Sequence, residues 1–272
     1  MLALILKQRQ EDALNHSLTS DAGATPTAEA EIIDVQAMPC GQKPGLAAAE
    51  RGEDHCSALH EIVASRRSVR RYHTRGVDRA VMNRLFRTAG QAPSAHNRQP
   101  WRFAVLEDLA WKQRLATAMG DRLRLDRSAD GDASEAIERD VARSYARITE
   151  APVVVIACAC MRDMDSYPDA RRQTAELLMA VQSTAMAVQN LLLAAHAEGL
   201  GVCIMCAPLF CGDAVSQALD LPAEWRPQSL ITLGWPAGAG RIRDRYDLEE
   251  IVWRPGPMRQ PVRSGQHVTH RE

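Results

Sequence analysis

The stretch from about residue 172 to 198 constrains this chain most. Leu177, Leu178, Val181, Met186, Val188, Leu191, Leu192 and Leu193 predict a long helix with little polar surface. Gln182, Ser183, Gln189 and Asn190 interrupt it, which argues against a membrane span. A soluble helix that is apolar nearly all round has to be central in a fold or in an oligomer. Gly199 ends it.

The elements around this helix alternate. Pro152-Val153-Val154-Val155-Ile156-Ala157-Cys158 reads as a strand covered on both faces, because a continuous β-branched run has no side to give to water. Further strands are expected at Trp101 to Leu106, Gly201 to Met205 and Ser229 to Gly234, with an extended piece near Leu248 to Val252. Helices are expected over Leu59 to Val63, from Asp78 as a cap through Val81, Met82, Leu85, Phe86 and Ala89, and over about 108–119 and 133–149 with a polar loop between the last two. This is an α+β pattern with one mixed sheet flanked by helices. Residues 56–258 form one domain in this reading, after an N-terminal extension over 1–55 and before a tail over 259–272, both flexible.

Bulk properties remove several classes. The formal net charge is −1, so no global basic field for nucleic acid exists. The opening Met1-Leu2-Ala3-Leu4-Ile5-Leu6-Lys7 is too short for a span and lacks a signal-peptide pattern, so the chain reads as cytoplasmic. Seven cysteines is an odd number, and Cys158, Cys160, Cys203 and Cys206 lie in apolar runs, which suits buried reduced thiols. Cys158-x-Cys160 with Cys203-x-x-Cys206 also permits a zinc site, the minority reading, which would make the chain a zinc-stabilised interaction domain.

Four segments carry chemistry. Arg66-Arg67-Ser68-Val69-Arg70 offers guanidinium forks and a hydroxyl to an anion. Pro93-Ser94-Ala95-His96-Asn97-Arg98-Gln99-Pro100 is a small polar loop, with Asn97 able to donate and accept at a heterocycle's edge and Trp101 as a core residue behind it. Gly199-Leu200-Gly201 lets backbone approach a ligand, and no dinucleotide fingerprint follows. Arg241-Ile242-Arg243-Asp244-Arg245 adds a late basic group. Together they suggest a flat, phosphorylated cofactor.

In this order the segments resemble the nitroreductase family of FMN enzymes, over about residues 57–255. Gly234-Trp235-Pro236 belongs to the same resemblance. Cys203-Ile204-Met205, Pro208-Leu209-Phe210 and Leu219 to Trp225 look most like the stand-alone form of the C-terminal flavin-reductase domain of deazaflavin-coenzyme maturation proteins. The family implies an intertwined homodimer with two FMN molecules in its interface and NAD(P)H as electron donor. By matching positions, Arg66, Arg67, Ser68 and Arg70 would bind the phosphate, ribityl chain and pyrimidine edge, with Arg245 and its helper Arg243 on the phosphate. Pro93, Ser94, Ala95 and Asn97 would reach the flavin of the partner subunit, and Gly199, Leu200, Gly201 and Met205 would present backbone to the ring.

The resemblance implies reduction of a nitro, quinone, enone-like or deazaflavin-precursor acceptor, with no side chain acting as general acid or base. A non-redox flavin-binding protein on the same fold is the alternative. The ligase domain fused to some relatives has no counterpart in residues 1–55. Ser68 stands where flavin-fragmenting relatives carry an acidic residue, which argues against that chemistry. His96 is a polar loop residue, Ser94 the better substrate contact, and Asp126 a candidate lid residue.

Overall fold

A computed structural model describes residues 52–255; the expected extension up to residue 51 and the tail lie outside the described residues. Helix α1 spans Gly52–Ser65 and delivers the chain to the arginines. Helix α2 spans Arg79–Ala89 and buries Met82, Leu85 and Ala89, the positions its periodicity marks. Asp78 occupies the N-cap, but its side chain makes no capping hydrogen bond. A 3-10 turn over Ala95–Asn97 leads into strand β1, Trp101–Leu106.

Helices α3 (Leu109–Ala129) and α4 (Ser134–Thr149) follow as a hairpin. Asp108 caps α3 properly, accepting from the amides of Ala110 and Trp111. The expected loop after residue 119 is instead helical to Ala129, which places Asp126, the candidate lid residue, on that helix. Arg122 donates to Asp126 at 2.8 Å one turn later, and Arg124 reaches Glu138 across the hairpin at 2.8 Å. Exposed pairs of this kind contribute under about 1 kcal/mol each, but several together hold the last turns of α3 helical.

Strand β2 is Val153–Cys160, helix α5 Ala170–Ala197 and strand β3 Gly201–Met205. After a 3-10 turn at Ala207–Phe210 come helix α6, Gly212–Ala218, and strand β4, Trp225–Gly234. The extended piece expected near Leu248 is a short helix, α7, over Leu248–Ile251. Asp247 and Glu250 form a capping box there, a local signal that overrides the apolar pattern.

The strands lie in the order β1-β2-β4-β3, and each neighbouring pair is antiparallel. Among the described residues the sheet is mixed only at its β3 edge, where Ser68 makes a parallel bridge to Val202. Every residue of β2 is buried, as its composition requires. Val153, Val155 and Ala157 face α2 and α5, packing on Leu85, Val188, Leu191 and Ala195. Val154, Ile156 and Cys158 face the other layer, with Leu115, Ile148 and Val215 from α3, α4 and α6. Each fully buried Leu or Ile side chain here stabilises by about 1.5–3 kcal/mol.

Helix α5 is long and apolar enough to cross a membrane by length and composition. Its buried stripe nevertheless includes Glu176, Ser183 and Thr184, and it lies on the sheet. Leu178 and Met186, on the same helix, remain exposed.

Candidate functional site

The arginine segment is strapped to the β3 edge by its backbone. The Val69 amide donates to Val202 O at 2.9 Å, the His73 amide to Trp235 O at 2.9 Å, and the Ala237 amide to Arg71 O at 3.0 Å. Two glycines make this closeness possible. A Cβ on Gly201 would lie 2.7 Å from Cγ1 of Val69. A Cβ on Gly240 would run into Arg67 and approach Ser68 O at 3.0 Å. Gly240 therefore carries the late basic segment directly over Arg67 and Ser68, a few residues before Arg243 and Arg245. Arg66, Arg67, Ser68, Gly201 and the approach to Arg243 and Arg245 are thus brought to one edge. Gly199 adds the turn, at φ +78, where a side chain would be strained.

What these arginines lack defines the chemistry. Arg84, Arg98, Arg114, Arg122, Arg124 and Arg172 each pair with a carboxylate. Among the described residues no carboxylate pairs with Arg66, Arg67, Arg70, Arg243 or Arg245. Guanidinium groups keep their protons, so those without a carboxylate suit an anion from outside, although Arg67 donates Nη1 to Arg66 O at 2.9 Å and Arg245 donates Nη1 to Arg243 O at 3.2 Å and Asp244 O at 3.1 Å. Burial pushes the Cys203 thiol up, and Arg70, Arg147 and Arg66 draw it part of the way back, which puts Arg147 of α4 near this thiol. Nothing in the sequence pattern of α4 marks Arg147, because only tertiary packing brings that helix to this edge. His196 is also here; burial, then Arg66 and Arg67, hold its pKa below the usual value. Its Nε2 lies 2.8 Å from Ser65 Oγ, which ties α1 to α5.

The loop from Pro93 to Pro100 is built quite differently. His96, Asn97 and Gln99 have φ of 51, 53 and 47, in the left-handed region that non-glycine residues avoid. Each costs of order 1–3 kcal/mol and persists only if its surroundings impose it. Here Ser94 Oγ accepts from the Gln99 amide at 3.0 Å, Ser94 O from the Asn97 amide at 3.0 Å, and Ser183 Oγ from the Ala95 amide at 3.3 Å. Arg98 pairs with Asp165 at 2.8 Å, and the Asp165 amide donates to Glu176 Oε1 at 3.0 Å. Ser183 and Glu176 are both only 2% exposed. Sequence reasoning missed both braces, since each is a polar residue on an apolar helix. Trp101 is buried behind the loop against Ala92 and Ala187, as expected.

The two halves do not meet within one chain. β1 and β3 are the two edges of the sheet, three strand spacings apart, or about 14 Å. They are also offset lengthwise. Leu106, Val154, Thr232 and Cys203 form one row across the sheet, whereas Trp101 lies five residues further along, in the row of Ala159 and Arg226. That offset adds about 17 Å, so the loop and the arginine edge sit at diagonal corners about 20 Å apart.

Among the described residues the cysteines assemble no metal site. Cys158 pairs across to Pro227 and Cys203 to Thr232, at separated rows. Among the described residues no three His, Cys, Asp or Glu converge. Burial pushes the Cys158 thiol up to about 12. Iodoacetamide at about pH 8 should therefore modify exposed Cys206 and spare Cys158 until the protein is unfolded, read by peptide mass.

Fold and edge chemistry define an α+β protein suited to a phosphorylated ligand. The family model for the nitroreductase family matches residues 63–235. The chain belongs to the nitroreductase family. It is 33% identical over 215 residues to a 5,6-dimethylbenzimidazole synthase of Rhodospirillum rubrum, covering 74% of this chain and 92% of that one. It is 29% identical over 214 residues to an NADH dehydrogenase of Thermus thermophilus, covering 70% and 92%. A Desulfovibrio desulfuricans structure described as a nitroreductase in complex with FMN is 25% identical at TM-score 0.57, covering 73% of this chain and 98% of that one. A BluB-like flavoprotein of Clostridium difficile shares the fold at TM-score 0.62 and 22% identity, covering 73% and 99%.

Proposed function

We propose that the chain is an FMN-dependent oxidoreductase that works as a homodimer, taking electrons from NAD(P)H and passing them to a small nitro, quinone, enone-like or deazaflavin-precursor acceptor. The diagonal placement of the two half-sites carries this reading. A flavin held on the arginine edge of one chain meets a polar loop only if a second copy supplies it. Bare apolar surface suits such a copy: Leu178 and Met186 on α5, and Phe210, Tyr246 and Trp253, are all exposed. When bound, FMN would supply the electron transfer between nicotinamide and acceptor.

The residues present fit that group. Arg66, Arg243 and Arg245, whose guanidinium groups have no carboxylate among the described residues, would hold its phosphate together with the Ser68 hydroxyl. Arg70 would set positive charge beside the pyrimidine edge. Backbone amides between Gly201 and Met205 would donate toward the ring. Pro93, Ser94, Ala95 and Asn97 of the second copy would close the site and exclude water, with the loop's strained backbone fixed in advance.

The relatives named as dimethylbenzimidazole synthases favour a second reading, flavin fragmentation. Ser68 opposes it, having no carboxylate to offer where such relatives carry one.

The purified protein should be yellow and should bleach anaerobically with NADH or NADPH. Arg66→Ala should weaken FMN binding at least about tenfold. Mixing Asn97→Ala chains with Arg66→Ala chains should regain one FMN site per heterodimer. A colourless protein that takes up no FMN overturns the flavin reading, and heterodimers with no regained site overturn the shared one. FMN bound without turnover by either nicotinamide would leave a non-redox flavin binder.

A further inference from the structure

We propose that the cavity between the arginine segment and the end of α4 is a second anion site, taking a phosphate monoester carried by the substrate that follows the flavin into the protein. The cavity measures about 290 Å³ and is lined by Arg70, Arg71, Tyr72, Arg147, Glu150 and Ala237. Arg66, Ser68, Arg243 and Arg245 do not line it, so Arg70 alone is shared with the proposed flavin clamp.

Charge is what singles it out. Among the described residues Arg70, Arg71 and Arg147 pair with no carboxylate, and Glu150 lines the same cavity without pairing with them. The contrast lies within α4 itself. Arg143 pairs with Asp140, whereas Arg147, one turn on, faces the cavity unpaired. The other titratable groups nearby add no negative charge. Burial pushes the Tyr72 hydroxyl far up, and that hydroxyl is already engaged with Val69 O at 2.6 Å and Thr232 Oγ1 at 2.8 Å. Burial likewise pushes the Cys203 thiol up, so it stays neutral. Three guanidinium groups against one carboxylate leave two positive charges, the complement of a dianionic phosphate monoester. The volume exceeds a bare phosphate and leaves room for part of the group that bears it.

The existence of the site does not depend on the flavin reading; only the description of its occupant as the second substrate rests on it. Phosphate monoesters reach such an enzyme from two sources, a phosphorylated nicotinamide donor or a phosphorylated acceptor.

The test is calorimetric titration of the full-length, FMN-loaded protein with inorganic phosphate in a phosphate-free buffer. Wild type should bind. Arg147→Gln and Arg71→Gln should each weaken binding at least about tenfold with FMN content and melting temperature unchanged, and Arg147→Lys should recover part of the loss. Adenosine 2′-monophosphate binding more tightly than phenyl phosphate assigns the site to the donor; the reverse assigns it to a phosphorylated acceptor. No phosphate binding by FMN-loaded wild type overturns the proposal. So does loss of FMN in Arg147→Gln, which would make the cavity part of the flavin site. If wild type takes up no FMN, the proposed function fails instead, and the same titration of the unloaded chain decides the cavity.

Discussion

Replacing Gly201 by alanine should loosen the arginine segment from β3 and cost both stability and FMN affinity. The new Cβ would lie 2.7 and 2.8 Å from Cγ1 and Cβ of Val69 and 3.3 Å from Cβ of Pro236. Neither neighbour is the free end of a flexible chain, so backbone has to move. Overpacking of this kind costs about 1–3 kcal/mol. The displaced backbone is the one whose Val69 amide bonds Val202 O at 2.9 Å and which carries Arg66, Ser68 and Arg70. FMN affinity should therefore fall further than the melting temperature alone explains. Gly76→Ala is the control, since a Cβ there meets nothing within 4 Å. Equal FMN affinity in the Gly201→Ala and Gly76→Ala proteins would show that the close approach does not shape the clamp.

The second large effect is expected at Glu176. Truncation to alanine removes the acceptor of the part-buried Asp165 amide and empties the space that the buried Glu176 side chain fills. A part-buried donor without a partner and a cavity together cost about 1–3 kcal/mol. Asp165 in turn anchors Arg98 at 2.8 Å, in the middle of the strained loop. Freed from that anchor, His96, Asn97 and Gln99 can relax toward ordinary backbone. In the proposed dimer FMN should then bind more weakly and the KM for the acceptor should rise. Glu176→Gln retains a carbonyl oxygen for the same amide and should recover most of both losses. Steady-state kinetics beside thermal melts separates the two effects. If Glu176→Gln behaves like Glu176→Ala, the brace depends on the carboxylate's charge and not on its acceptor geometry.

Much of the architecture was legible because period and composition are local. The run from Pro152 to Cys158 is a strand buried along its whole length, and Leu191, Leu192 and Ala195 face the core as their spacing demands. The misread pieces failed for local reasons too. The second half of α3 is held by Arg122–Asp126 and by pairs across to α4, a charge pattern that the polar composition concealed. The segment from Leu248 looked extended until the capping box at Asp247 and Glu250 is counted.

The candidate site was legible at its ends and opaque at its supports. Arg66 to Arg70, Asn97, Gly199 to Gly201 and Arg243 to Arg245 stand out as motifs. Ser183 and Glu176 do not, because each is a single polar residue on a helix whose pattern already has another explanation. The left-handed turn at Asn97 suits asparagine. Those at His96 and Gln99 are imposed by the brace, so no propensity announces them.

The diagonal of the sheet has a mechanical meaning in the proposed dimer. Each chain would be a strut with one end in each of two sites. The width of four strands and the length of β2 then set the spacing between the two flavins, much as a beam sets the spacing of the walls it joins. A core substitution midway along that strut, at Ile156 or Ile231 for instance, touches neither site yet lies on the line between them. In that dimer, stiffness of the all-buried β2 strand would serve registration between sites as well as stability within one chain.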